Sequence, residues 1–278
     1  MSGVIEERVS QHYSRGDLEQ AILDALAKSG KDIDRLTPAD LSPVDEFHTA
    51  GRQATIELME QLDFKPGMHI VDIGSGIGGP SRYLAETRDC RVTGIDLTED
   101  YVRTASALAQ RVGLSDRVSY RQASALSLPF DDASFDGAMM MHVGMNIEDK
   151  AALCREVRRA LKPAATFAIF DMMRMGDGEL AFPVHWAASA ATSFVAPPAD
   201  YRRALEDAGF EIVKERSRRD FALDFFRQSA ARIKEMGGPP ALGIHILMKT
   251  DVPQKIANVL ANLEKGLIAP TEIISRAK

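Results

Sequence analysis

Short β-rich runs alternate with helix-length segments along most of this chain, and this alternation constrains the fold more than any other feature of the sequence. The runs that predict strands lie near residues 68–73, 91–96, 117–122, 137–142 and 166–171. Helical segments lie between them, near 80–88, 99–112 and 148–161. Strands joined by crossover helices run parallel, so the pattern predicts an α/β fold with a mostly parallel sheet.

The segments outside this alternation predict lids and a completed sheet edge. Helical spacing indicates helices over 17–29 and 45–62, and we interpret residues 1–64 as an N-terminal helical lid on a domain formed by residues 65–278. Behind the fifth strand we expect a helix at 199–208, a strand at 210–217 and a last strand at 271–277. We interpret the connections at 172–198 and 218–270 as insertions, the second of them mostly helical. Connections of that length within a compact domain are usually functional or disordered.

The segment VDIGSGIGG, residues 71–79, is the richest in chemical meaning. It follows a predicted strand and opens a predicted helix, where glycines let backbone amides approach a ligand closely and the helix N-terminus favours negative charge. Its glycines also satisfy the GxGxxG pattern of dinucleotide-binding proteins, which is a weak signal by itself. A nucleotide-like ligand is therefore expected, and the pattern leaves its identity open.

Two carboxylates narrow that choice. Asp72 precedes the first glycine by two residues, where it would accept hydrogen bonds from an ammonium group and would repel a pyrophosphate. Asp96 ends the second strand, where a carboxylate binds the two ribose hydroxyls of an adenosine. The run LPFDDASFD at 128–136, which leads into the fourth strand, is the third distinguishing feature.

Taken in order, the segments VDIGSGIGG, TGIDLT, ALSLPFDDASFDGAMMMHV and LKPAATFAIFD resemble the motifs of class I S-adenosylmethionine (SAM) dependent methyltransferases. They are most similar to the small-molecule branch that includes the ubiquinone/menaquinone, tocopherol and glycine/sarcosine/dimethylglycine methyltransferases. The resemblance is strong over 68–171 and weaker over 45–55 and 198–213. It implies a Rossmann-like, seven-stranded, mostly parallel sheet whose last strand is antiparallel, and SAM as the cofactor.

The resemblance also implies a cofactor site. Asp72 and the backbone of the glycine loop would hold the amino-acid end of SAM, and Asp96 with Leu97 would hold ribose and adenine. Members of the family usually have Gly-Asp-Ala after the third strand, where the Asp bonds the adenine amino group; this chain has Ala-Ser-Ala, and the serine is a weaker acceptor. The predicted cofactor-binding residues are Asp72, Gly74, Ser75, Gly76, Asp96, Leu97, Ser124 and Ala125.

Histidine 142 is the candidate catalytic residue. His142 ends the fourth predicted strand, and open α/β sheets bind ligands outside the carboxyl ends of their strands. It would orient the methyl acceptor or remove its proton, or it would simply cap the strand. Candidate acceptor-binding residues are Tyr13 and His48 in the N-terminal lid, Met145 in a methionine-rich stretch and Trp186 in the first insertion. Aromatic walls suit either an apolar acceptor or a cationic amine, and both alternatives remain open.

Composition restricts the remaining function classes. A formal net charge of -6 disfavours a nucleic-acid partner, and no apolar run is long enough to predict membrane insertion. The two cysteines have no companion spacing typical of a metal site, and an N-terminus rich in acids favours a cytoplasmic location. We therefore predict transfer of a methyl group from SAM to an N, O or C atom of a small molecule, by a monomer or homodimer. The alternatives are an NAD-dependent oxidoreductase and a SAM-binding protein without catalysis.

Overall fold

A seven-stranded sheet forms the centre of the computed structural model, which describes residues 2–14, 16–248 and 250–278. Its strands are β1 (His69–Ile73), β2 (Arg91–Asp96), β3 (Val118–Gln122), β4 (Phe135–Met141), β5 (Leu161–Arg174), β6 (Phe210–Ser217) and β7 (Ile268–Ala277). They lie in the order β3-β2-β1-β4-β5-β7-β6. The strands β1 to β5 pair in parallel, whereas β7 pairs antiparallel with both β5 and β6. The predicted seven-stranded, mostly parallel α/β fold is therefore confirmed, including the antiparallel last strand.

Ten α-helices surround the sheet in the part of the chain that the structure describes. They are α1 (Ser2–Tyr13), α2 (Leu18–Lys28), α3 (Pro38–Asp45), α4 (Gly51–Met59), α5 (Gly79–Arg88), α6 (Glu99–Arg111), α7 (Lys150–Ala160), α8 (Pro198–Asp207), α9 (Arg219–Glu235) and α10 (Val252–Glu264). Helices α5 to α8 are the crossover connections of the sheet. The first four precede β1, and α9 and α10 lie between β6 and β7.

Burial on both faces explains why the strands are so apolar. Ile70, Val71 and Ile73 of β1 are all fully buried, which is typical of parallel sheets covered by helices on both sides. The covering helices are amphipathic: α7 buries Leu153 and Val157, four residues apart and therefore on one face. This packing holds the carboxyl ends of the strands in fixed positions, and those ends form the floor of the candidate site.

The N-terminal segment differs from the prediction. Residues 45–62 keep helical spacing, yet they do not form one helix: α3 ends at Asp45 and α4 begins at Gly51. Between them Ala50 has φ 69°, a left-handed conformation that an α-helix does not contain. Helix α1 was not predicted. The loop between α3 and α4 is important below, because it brings two polar side chains to the interior.

The fifth strand is longer than predicted. It spans Leu161–Arg174 and not only 166–171, because the chain enters the sheet directly after α7, where Leu161 pairs with Phe135. Pro163 lies where the register with β4 shifts, a position at which the missing backbone N–H of proline costs no ladder hydrogen bond. The connection from β5 to α8 consequently begins at residue 175, and β7 begins at Ile268, before the predicted end of the second insertion.

Candidate functional site

A cavity of about 340 Å³ lies at the carboxyl ends of β1, β2 and β4. Its floor includes the glycine loop after β1, the end of β2 and the residues that follow β3 and β4. Its roof comes from α1, from the connection between β5 and α8, and from α9. This is the position at which open α/β sheets bind ligands, and the volume lies in the range of small-molecule sites.

Two glycines give the loop after β1 its shape. Gly74 and Gly76 have φ values of 69° and 54°, which few other residues adopt without strain. A Cβ added to Gly74 would lie 2.3 Å from Cγ2 of Val143, so close packing requires glycine there. A Cβ added to Gly76 would meet no atom within 4 Å, although Gly76 lines the cavity. The backbone at Gly76 therefore faces open space in which a ligand is able to approach it.

Asp96 joins the loop to the end of β2. Its carboxylate accepts hydrogen bonds from the backbone N of Gly76 at 3.0 Å and of Thr98 at 2.8 Å. Burial raises its pKa, and these two hydrogen bonds only partly oppose the effect of burial. Asp96 and the following Leu97 both line the cavity. The carboxylate is thus fixed in orientation and still reaches a ligand.

Asp72 is a buried carboxylate that has no cationic partner in direct contact among the residues that the structure describes. It is 2% exposed and accepts a hydrogen bond from the hydroxyl of Ser81 at 2.6 Å. Burial raises its pKa to about 7, the Ser81 hydrogen bond lowers it and the nearby charge of Asp96 raises it again. A carboxylate with this pKa, lining a cavity, is a favourable partner for a positively charged group of a ligand.

His142 follows β4 and enters the cavity from the floor. Its backbone has φ 56° and its N donates to the carbonyl of Phe170 at 2.7 Å, so a strained residue is held at the strand end. Burial lowers the pKa of His142 well below 6.5, and the charges of His48 and His185 lower it further. Within the described residues its buried Nε2 has no hydrogen-bond partner. The neutral ring therefore offers an unused nitrogen to a ligand.

His48 lies beside His142, with ring centroids 5.9 Å apart. Its Nε2 is 2.8 Å from Oε2 of Glu46, and the hydroxyl of Thr55 donates to the same oxygen at 2.7 Å. All three side chains are buried, so the hydrogen bonds fix the ring of His48 in one orientation. The break between α3 and α4 is what brings Glu46 and His48 inward.

The other predicted acceptor residues also line the cavity. The hydroxyl of Tyr13 accepts from Nδ2 of Asn146 at 3.3 Å, and the indole N–H of Trp186 donates to the hydroxyl of Ser193 at 2.9 Å. Met145 is buried and forms part of the wall. Because their polar atoms are already paired, these aromatic side chains present mainly apolar surface to the cavity.

Ser124 is the exception among the predicted residues. Its neighbours Ala123 and Ala125 line the cavity, but Ser124 itself does not. Its hydroxyl donates to the carboxylate of Glu6 on α1 and accepts from the backbone N of Leu126 at 3.0 Å. The hydroxyl is therefore used within the protein, and it is poorly available to a ligand.

Several cavity residues were not predicted. Glu6, Val9, Asp45, Phe225 and Phe226 line the cavity, and Glu46 supports His48 from outside the lining. They lie on α1, α3, α9 and the loop after α3, far in sequence from the glycine motif. A signal existed only for Glu46, since Gly51 marks a break within the helical pattern of 45–62, close to the predicted His48.

The fold and the site together define a nucleotide-binding α/β protein of the doubly wound type. Residues 71–169 match the family model described as "Methyltransferase domain". Among curated proteins the chain is 33% identical over 137 residues to "Methyltransferase GfsG" of Streptomyces halstedii, an alignment that covers 49% of each chain. Others of these relatives are named as O-methyltransferases, phosphoethanolamine N-methyltransferases and sterol 24-C-methyltransferases. The chain spans half or less of the length of each of these relatives.

Solved structures agree on the fold. A [4+2]-cyclase, SpnF, superposes with a TM-score of 0.72 over 98% of this chain and 96% of its own, at 22% identity. A geranyl diphosphate C-methyltransferase from Streptomyces coelicolor A3(2), crystallised with S-adenosyl-L-homocysteine, superposes with a TM-score of 0.71 over 99% and 98%, at 16% identity. The match of residues 71–169 to the methyltransferase family model confirms the resemblance drawn from the motifs.

Over residues 2–14, 16–248 and 250–278, no group of three or more histidine, cysteine or acidic side chains is arranged to hold a metal ion. Over the same residues, no helix has the length and apolar character that crossing a membrane requires.

Proposed function

We propose that this protein transfers the methyl group of SAM to a small molecule bound in the cavity at the carboxyl ends of β1, β2 and β4. The observation that carries the proposal is the meeting of three chemical features in that cavity. They are an open glycine backbone at Gly76, the carboxylates of Asp72 and Asp96, and the unpartnered Nε2 of His142. The matched methyltransferase domain spans all of them.

The residues present fit SAM. The ammonium group of its methionine part is a cation for Asp72, a buried carboxylate that accepts a hydrogen bond from the Ser81 hydroxyl and has no cation in direct contact among residues 2–14, 16–248 and 250–278. Asp96 has two oxygens fixed by backbone N–H donors and is able to accept from ribose hydroxyls. The lack of any atom within 4 Å of a Cβ at Gly76 leaves room for the ligand against the backbone. SAM, when bound, supplies a methyl carbon that its sulfonium makes electrophilic.

The chain's own residues then have three tasks. The buried walls exclude water, and the aromatic side chains of Trp186, Phe225 and Phe226 hold the acceptor against the cofactor, so that proximity and alignment provide much of the rate. In the proposed reaction, Nε2 of His142 accepts a hydrogen bond from the acceptor and takes up its proton as the methyl carbon is attacked. Burial lowers the pKa of His142, so the ring is neutral beforehand, although it is a weaker base than a free imidazole. Glu46 and Thr55 hold His48 beside it. This arrangement is compatible with attack on the methyl carbon by an N, O or C atom of the acceptor.

The decisive experiment measures turnover and cofactor binding separately in variants of His142. We expect His142→Ala to lower the release of S-adenosylhomocysteine (SAH) about a hundredfold with a phenol, a terpene alcohol or a secondary amine as the acceptor probe, because the lost interaction belongs to the transition state. The affinity for SAH, measured by calorimetry, should change little. His69→Asn is the matched control. His69 begins β1 at the end of the strand away from the cavity, where its ring forms a hydrogen bond with the hydroxyl of Thr93.

Each outcome has a distinct meaning. Full turnover in His142→Ala would remove His142 from catalysis. Binding of SAH without methylation of any probe would favour a non-catalytic role or another reaction. Binding without methylation is an informative result, because the solved structure of a [4+2]-cyclase is similar to this protein over nearly the whole length of both chains.

Four further expectations belong to the same proposal. Residues 1–64 would act as a lid together with the insertions at 172–198 and 218–270, which is supported by the contribution of α1 and α9 to the cavity roof. A cytoplasmic location stays a prediction from the acid-rich N-terminus, and the absence of a nucleic-acid partner stays a prediction from the net charge of -6. Size-exclusion chromatography would distinguish a monomer from a homodimer.

A further inference from the structure

The contact between α1 and the loop after β3 supplies a carboxylate where the sequence lacks one. After β3 the chain has Ala123, Ser124 and Ala125, with no acidic side chain. In the structure the hydroxyl of Ser124 donates to the carboxylate of Glu6, which comes from α1, 118 residues earlier in the chain. The acceptor that faces the cavity at this point is therefore Glu6 and not Ser124.

The register of the sheet places this contact beside Asp96. Asp96 at the end of β2 is the register partner of Gln122 at the end of β3, so residues 123–126 follow directly next to it. If Asp96 holds the ribose, the base attached to that ribose extends over this region. The walls there are mainly apolar, and they are formed by Ile5, Val9, Leu97, Ala125 and Leu126.

An adenine base matches that chemistry. Its faces are flat and apolar, and its exocyclic amino group is a donor that needs an acceptor, whereas a carboxylate is an acceptor only. We propose that Glu6 accepts a hydrogen bond from the adenine amino group of the cofactor. The inference rests on the proposed function, because it needs the cofactor to lie with its ribose at Asp96.

The same contact would make recognition of the base depend on the position of α1. The helix is held over the cavity by further contacts: the hydroxyl of Ser10 donates to the carbonyl of Leu97 at 3.5 Å, and Nε2 of His12 is 3.0 Å from the carbonyl of His185. Directly after α1, the backbone N of Gly16 donates to Oδ2 of Asp100 at 2.6 Å. Glu6 thus reaches the cavity only when α1 lies in this position.

The test compares two ligands that differ only at the amino group. Calorimetry measures the dissociation constants of SAH and of its 6-deamino analogue, whose purine base carries a hydrogen atom at C6 in place of the amino group. We expect the natural protein to prefer SAH at least about tenfold, the usual effect of one hydrogen bond to a charged group. Glu6→Ala should abolish most of that preference, and Glu6→Gln, which retains a carbonyl acceptor, should keep part of it.

A matched control and a clear failure accompany the test. Glu7→Gln removes the neighbouring carboxylate, which is exposed and bonds to Gln11, and it should keep the full preference. If Glu6→Ala weakens both ligands equally, Glu6 only anchors α1 and the inference is wrong. If the natural protein binds neither ligand, the proposed function itself fails. Thermal melting of each variant checks that it is folded.

Discussion

At the scale of single residues, burial displaces the pKa values of the cavity groups in a consistent direction. It raises the pKa of Asp72 and Asp96 and lowers that of His142, so in each case the uncharged form is favoured. The groups that line this cavity therefore gain from a bound cation or proton donor. The energetic cost of keeping Asp72 charged is recovered only when a cation binds beside it.

The pH dependence of cofactor binding should therefore follow Asp72. Its pKa of about 7 means that, as the pH falls below 7, the carboxylate takes up a proton, which the ammonium group of SAH must displace. We expect the dissociation constant of SAH to rise about tenfold for each pH unit below 7 and to level off above 8. Calorimetry from pH 5.5 to 8.5 measures it.

Asp72→Asn separates this cause from other titrations. The variant should bind SAH weakly and with little dependence on pH, because the titrating group is absent. A dissociation constant in the natural protein that stays constant from pH 8.5 to 5.5 would show that Asp72 does not hold the ammonium group.

Gly76 offers a second test, of the backbone and not of a charge. Alanine at this position fits the protein sterically but takes a left-handed conformation, so Gly76→Ala should lose about 1 kcal/mol of stability. Its methyl group would occupy the space for the ligand, and binding of SAH should be abolished. Gly113→Ala is the control: Gly113 has φ 70° and equally open surroundings, yet it does not line the cavity. Normal SAH binding by Gly76→Ala would reduce the loop to an ordinary turn.

At the scale of elements, what the sequence predicts depends on whether local pattern or distant contact decides the structure. The central strands were predicted because each is a short, mainly apolar run bounded by turns, and the site floor was predicted because the strand ends and the glycine loop are contiguous in sequence. The roof was not. Helix α1 has no strong apolar face, and the break at Ala50 is stabilised by the hydrogen bonds of Glu46, His48 and Thr55, which no periodicity reveals.

Helix α1 should become protected from hydrogen exchange when the cavity is filled. If a ligand leaves only after α1 lifts, opening of α1 is suppressed in proportion to ligand occupancy, about a hundredfold at a ligand concentration one hundred times the dissociation constant. Mass spectrometry of peptides from 2–13 with and without SAH measures this. Peptides from β6, which lies at the far edge of the sheet, serve as the internal control. Equal exchange of α1 in both states would contradict a lid role.

At the scale of the whole molecule, a ligand that binds only the folded state stabilises all of it. SAH at one hundred times its dissociation constant should add about 2.7 kcal/mol to the free energy of unfolding and raise the Tm by roughly 5–10 °C. NAD at the same concentration should leave the Tm unchanged, because Asp72 would oppose a pyrophosphate at the glycine loop. A shift with NAD and none with SAH would reverse the assignment in favour of an oxidoreductase.

The position of β7 has a consequence for how the chain acquires its structure during synthesis. β7 lies between β5 and β6 but follows both in the chain, so β6 and the edge of β5 that faces away from β4 have no partner strand until residues 268–277 have left the ribosome. Until then β5 and β6 each expose an unpaired edge, the kind of surface from which aggregation starts. A nascent chain that still lacks residues 268–277 is therefore more prone to aggregation than the folded protein.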